Sequence, residues 1–166
     1  MARYVAGTDF GTVPSDAAEP SQARLAELKS PGKGPDLESM RQEMQRLMME
    51  NVGITRTQNN MARAEKALQE MRQRYIEVRA NDSSKAFNTQ VLEVLELGHL
   101  LDLAYVVTTC ALNRRESRGA HAREDFPDRN DQNWLRHTLA WLEGDKIRLD
   151  YKNVDISRWT PKPRKY

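Results

Sequence analysis

Phe87-Asn-Thr-Gln-Val-Leu-Glu-Val-Leu-Glu-Leu-Gly-His-Leu-Leu-Asp-Leu-Ala-Tyr-Val-Val-Thr-Thr-Cys-Ala-Leu-Asn-Arg-Arg115 is the stretch that decides the architecture of this chain. Its apolar residues (Val91, Leu92, Val94, Leu95, Leu97, Leu100, Leu101, Leu103, Ala104, Val106, Val107 and Leu112) cover nearly the whole circumference of a helix. Such a helix is expected to be buried between neighbours. Glu93, Glu96, His99 and Asp102 interrupt it, exclude a lipid span and mark a polar edge facing solvent or another domain.

Working backwards, Met61, Ala64, Leu68, Met71, Tyr75 and Val78 follow a 3-4-3-4-3 spacing, a seam suited to shallow packing along a second helix. Thr55 or Thr57 can cap it, and Asn81-Asp82-Ser83-Ser84 closes it. Before that, Leu37, Met40, Met44, Leu47 and Met48 repeat at helical spacing behind the capping residue Asp36. The methionines could form a soft-metal or promiscuous binding surface, but their seam positions are better explained by core packing. The expected fold class is all-α: an antiparallel three-helix bundle, spectrin-repeat-like, over residues 36–116, with a polar loop and a C-terminal β-hairpin over 117–166. Residues 1–35 hold Pro14, Pro20, Pro31, Pro35 and four glycines, and read as a linker with one short helix near Ser21–Lys29. A flexible terminus and the remnant of a connection to a preceding domain are both open for this segment, the second implying that Met1 is not a natural start.

The 166 residues carry 26 basic and 24 acidic side chains, a net charge of +2 that argues against nucleic acid as partner. The single cysteine, Cys110, excludes an internal disulfide or a cysteine-rich zinc site. The basic tail (Arg158, Lys162, Arg164, Lys165) has no counterpart patch to support RNA or lipid binding.

The most unusual stretch follows the long helix. Residues 114–131 pack five arginines and five acids around Gly119 and Pro127 with no helical or strand periodicity. A loop this long is expected to be docked and internally paired, with bidentate arginine–carboxylate contacts fixing its backbone. His121 and Asp125 have i,i+4 spacing, yet no metal-ligand set, nucleophile elbow, P-loop or GxGxxG motif accompanies them, so a structural hydrogen-bonding role is expected for His121. His137–Leu142 and Lys146–Tyr151 alternate around Glu143-Gly144-Asp145 as a hairpin, with Leu139, Trp141, Ile147, Leu149 and Tyr151 expected on one face.

Glu116-Ser-Arg-Gly-Ala-His-Ala-Arg-Glu-Asp-Phe-Pro-Asp-Arg-Asn-Asp131, followed by Trp134-Leu-Arg-His-Thr-Leu139, resembles the C-terminal signature of the succinate dehydrogenase/fumarate reductase flavoprotein subunit. Met44–Met48 with Gly53–Thr57 resembles that family's entry into the bundle. Phe87-Asn88-Thr89, Leu95-Glu96-Leu97 and Leu100–Ala104 resemble its long helix, and Pro163–Tyr166 its ending. The resemblance covers residues 36–166. Gly98-His99 departs from the family's usual residues. L-aspartate oxidase-like flavoproteins share the bundle but usually lack the Arg-Gly-Ala-His run, and a stand-alone helical-bundle interaction module is the alternative from another class.

The resemblance implies a subunit that interconverts succinate and fumarate with FAD and passes electrons to an iron–sulfur subunit. Its flavin domain and catalytic residues would lie outside this chain, whose start at Arg3-Tyr4-Val5 fits the end of that domain. The fragment would then be a scaffold, inactive alone and binding no FAD, with no catalytic, cofactor or metal residues of its own. Arg114, Glu116, Arg118, His121, Arg123, Asp125 and Arg129 would serve docking to the flavin domain and the iron–sulfur subunit. The implied location is cytoplasmic, peripheral on the inner membrane through other subunits.

Overall fold

The computed structural model describes residues 6–9, 11–30 and 32–162; the segments Arg3-Tyr4-Val5 and Pro163–Tyr166, singled out above, lie outside them. Helix α1 spans Glu19–Leu28, α2 Leu37–Val52, α3 Gln58–Tyr75, α4 Thr89–Asn113 and the single turn α5 Asp131–Trp134. Strand β1 (Thr55–Arg56) pairs in parallel with β2 (Ala122–Arg123), and β3 (Arg136–Glu143) pairs antiparallel with β4 (Lys146–Asn153).

Polar caps set the starts of the bundle helices. The Asp36 carboxylate accepts from the Ser39 amide, the Thr57 hydroxyl from Asn60 and the Asn88 side chain from Val91. Of the two threonines proposed as caps, Thr57 does the capping, while Thr55 enters β1. The helices alternate in direction. Arg74, near the end of α3, reaches Glu43 in the first half of α2, and Glu65, Gln69 and Tyr75 of α3 meet Thr109, Tyr105 and Val94 of α4 in reversed order.

Met61, Ala64, Leu68 and Met71 are at most 1% exposed, so the seam is core. The helix ends at Tyr75, and Val78 completes the core from the following turn. Leu28 of α1 is also fully buried, and its carbonyl accepts from Ala80, so this part of the N-terminal segment is docked on the bundle. One close approach fixes the α3–α4 distance. The Tyr75 hydroxyl donates to the Val94 carbonyl and lies 2.5 Å from where a Cβ on Gly98 would stand, so any side chain at Gly98 forces the phenol to move.

Three expectations are corrected. The domain is mainly helical with an antiparallel hairpin, not all-α. Helix α4 is not buried all round: Leu92, Leu100, Leu103 and Val107 are 59%, 42%, 60% and 48% exposed, because α2, α3 and the hairpin cover only part of its circumference. The hairpin does not gather its apolar residues on one face. Its register pairs Ala140 with Leu149 and Trp141 with Arg148, which puts Ile147, Leu149 and Tyr151 inward and Leu139 and Trp141 outward. The Arg148 guanidinium sits 4.1 Å from the centre of the outward Trp141 ring. The turn is two residues, Gly144-Asp145, with positive φ (61°) at Gly144 alone, the pattern of a II′ hairpin turn.

Candidate docking site

The loop from Arg114 to Asp131 is built around two buried charges of opposite sign. The Glu116 side chain is fully buried. Its carboxylate accepts from Arg114, from Arg118 through both oxygens at 2.8 and 3.0 Å, and from the Asn130 amide. Burial pushes its pKa up, but these donors outweigh burial and hold the carboxyl below its ordinary range. Arg118 passes the charge on to Asp131, which also pairs with Arg129, and Arg129 donates to the Lys162 carbonyl.

Arg123 is the second centre, also fully buried at its side chain. It forks onto both Asp125 oxygens at 2.7 Å. It also caps the end of α4 by donating to the carbonyls of Ala111, Leu112 and Arg114, and reaches the Gln58 side chain. Asp125 in turn accepts from the Gln58 amide at the start of α3. Its hydrogen bond to Arg123 and the Gln58 amide lower its pKa to about 2. A cation at a helix C-terminus and an anion at a helix N-terminus are both electrostatically favourable, so one ion pair serves two helices.

His121 joins the loop to the α2–α3 turn. Arg56 Nη1 lies 2.9 Å from Nδ1, and the Arg114 carbonyl 3.0 Å from Nε2. A guanidinium only donates and a carbonyl only accepts, so Nδ1 is the acceptor and Nε2 carries the proton. Burial first, then the charges of Arg56, Arg123 and Arg114, push the imidazole pKa down, although the Arg114 carbonyl works the other way; the ring is held neutral.

The expected docked, internally paired loop is therefore what the chain forms. Arg56, Gln58, Asn130, Asp131 and Arg136 also belong to the site. Their signals in the sequence were weak: Arg56 and Gln58 stand in a different turn, and pairing with β2 is only two residues long. Between the C-terminal half of α4, the loop and β3 lies an open cleft of about 690 Å³. It is lined by Val106, Val107, Cys110, Leu135 and Val154 on the apolar side and by Arg56, Arg114, Arg118, Arg136, His121 and His137 on the polar side.

The Asp36, Thr57 and Asn88 side chains each take one amide at the starts of α2, α3 and α4, and carboxylates stand at the starts of α2 and α3. No cluster of three or more metal-ligating side chains occurs among the described residues, and none of their helices is long and apolar enough to cross a membrane.

Comparison with known proteins places this arrangement in a class. The family model described as fumarate reductase flavoprotein C-term matches residues 41–166. The succinate dehydrogenase flavoprotein subunit of Rickettsia bellii is 38% identical over 146 residues, 87% of this chain and 24% of the relative. The fumarate reductase flavoprotein subunit of Escherichia coli is 39% identical over 148 residues, 87% of this chain and 25% of the relative. A chain of the solved Escherichia coli quinol fumarate reductase superposes with a TM-score of 0.83 at 38% identity, covering 92% of this chain and 27% of that one. The chain belongs to the succinate dehydrogenase/fumarate reductase flavoprotein C-terminal domain family. It spans about a quarter of the length of the curated relatives it matches.

Proposed function

We propose that this chain is the C-terminal scaffold and docking domain of a flavoprotein subunit that interconverts succinate and fumarate. FAD, bound by a separate domain, would supply the hydride chemistry, and electrons would leave through an iron–sulfur subunit. In this reading residues 1–35 connect to the flavin domain, 36–116 form the bundle, and 117–166 form the docking loop, hairpin and tail. Glu116 and Arg123 act from inside, holding the loop in one shape. Arg114, Arg118, His121, Asp125 and Arg129 lie nearer its surface and meet the neighbouring domain or subunit.

One observation carries the reading beyond family membership. Leu100, Leu103 and Val107 form an exposed apolar stripe along α4 that runs into the cleft beside the loop, and exposed Glu96 separates it from Leu92 on the same face. Contiguous apolar surface beside a rigid polar rim is the anatomy of a protein–protein interface.

The test is a chimera in which this chain replaces the C-terminal quarter of the Escherichia coli fumarate reductase flavoprotein subunit. The expected result is a soluble subunit that retains flavin and reduces fumarate, while the chain alone shows no flavin absorbance. Flavin binding by the chain alone, or a chimera that folds without retaining flavin, would overturn the proposal.

A further inference from the structure

The charges around the cleft do not balance within the chain. Arg114, Arg118, Arg123 and Arg129 are ion-paired to Glu116, Asp125 and Asp131. Arg136 has no carboxylate partner among the described residues, and its Nε is buried without a hydrogen-bond acceptor. It is nevertheless held in place. Its guanidinium lies 3.7 Å from the centre of the Tyr151 ring and 4.9 Å from that of Trp134. Arg114, a second cation, lies 5.2 Å from the same Trp134 ring and donates to the Arg136 carbonyl. Arg56, on the cleft wall, donates through Nε to the Val52 and Gly53 carbonyls and through Nη1 to neutral His121. The cleft lining contains no acidic side chain.

Arg114 and Arg136 lie against the same Trp134 ring, and only Arg114 has a carboxylate, Glu116, so a further carboxylate would balance the second cation. The apolar wall adds a second requirement: Val107 belongs both to the cleft and to the exposed stripe of α4, so whatever covers the stripe also closes the cleft.

We propose that the cleft is the seat of an aspartate or glutamate side chain, flanked by apolar residues, carried by the flavin-binding domain where it covers α4, and that Arg136 is its ion-pair partner. The proposal deepens the docking reading above and rests on it. It gives the interface a polar anchor inside an apolar surround, and so a fixed register, which apolar contact alone does not supply.

The experiment uses the chimera described above carrying Arg136→Lys, treated with a zero-length carbodiimide reagent that joins an amine to a carboxylate in direct contact. Arg148→Lys, on the outward face of the hairpin, is the control. The expected product joins β3 to an aspartate or glutamate of the flavin-binding part, identified by mass spectrometry, and is absent from the control. A flavin-retaining chimera that gives no such product, or one joining β3 only to this chain's own acids, overturns the ion pair and leaves the docking reading standing. A chimera that folds without retaining flavin overturns both. Should Arg136→Lys disturb folding, Arg56→Lys reports on the same cleft with the same readout. A second arm titrates the whole chain with succinate against sodium chloride of equal ionic strength. No difference in melting temperature is expected. A saturable rise abolished by Arg136→Gln would overturn the proposal by making the cleft a small-dicarboxylate site.

Discussion

Arg56 and His121, 65 residues apart in the chain, meet at 2.9 Å between Nη1 and Nδ1, and this bond requires the imidazole to be neutral. The titratable and charged groups facing the ring are Arg56, Arg114 and Arg123, all cations. A histidine whose pKa is lowered by folding binds its proton more readily in the unfolded chain. Stability is therefore fully present above the ordinary value of 6.5 and declines as the pH falls below it. The slope from this group is at most about 1.4 kcal/mol per pH unit. Urea unfolding across this range is expected to show that decline, and His121→Gln to flatten it.

Glu116 is the anion on which Arg114 and Arg118 converge. Its replacement by glutamine keeps the volume and removes the charge, leaving Arg114 without a carboxylate and Arg118 with Asp131 alone. The expected cost is about 3 kcal/mol or more in denaturant unfolding, since breaking a buried pair from one side is strongly destabilising. A loss below about 1 kcal/mol would mean that the pair is effectively solvated.

Asp125 gives the loop an acid limit. Its pKa of about 2 lies below the ordinary 3.8, so its contribution to stability is present above the ordinary value and is lost as the pH falls through about 2. Asp125→Asn is expected to lower stability at neutral pH and to remove this part of the acid dependence, read by following tryptophan fluorescence during acid titration.

Gly98 stands where Tyr75 crosses α4. Gly98→Ala would place a methyl 2.5 Å from the phenol oxygen and 2.6 Å from its ring carbon. The expected destabilisation is about 1–3 kcal/mol, despite alanine's better helix propensity. In a Tyr75→Leu background the same change should be neutral or favourable by up to about 1 kcal/mol. Thermal unfolding of the four proteins in this cycle gives the comparison.

The apolar stripe separates folding from docking. Leu103 is 60% exposed, so Leu103→Glu should change the stability of the isolated chain by no more than about 0.5 kcal/mol. In the flavoprotein chimera it should reduce retained flavin several-fold, measured by absorbance after gel filtration.

Much of this was legible in the sequence because local patterns and tertiary demands agree. Asp36, the Met61–Met71 seam and the Gly144 turn each name their own structure through capping, periodicity and backbone freedom. The density of arginines and acids between Arg114 and Asp131 announced a self-paired loop. What was not legible depended on geometry between distant segments. The two-residue pairing of Thr55–Arg56 with Ala122–Arg123 has no periodicity to read. The helix Thr89–Asn113 looks buried all round because apolar content does not record which faces find partners within the chain and which stay open. A three-residue turn at Glu143-Gly144-Asp145 would set Leu139 opposite Leu149, whereas the two-residue turn Gly144-Asp145 shifts the register by one and turns Leu139 and Trp141 to the other face.

The central claim is that this chain completes a flavin-binding domain by docking through α4 and the Arg114–Asp131 loop. The most direct measurement adds the purified chain to the Escherichia coli fumarate reductase flavoprotein subunit truncated before its last quarter and follows fumarate reduction. The account predicts activity that rises with added chain to saturation, and a Leu103→Glu chain that fails to support it. Activity of the truncated subunit that is unchanged by the chain, or activity of the chain by itself, would contradict it.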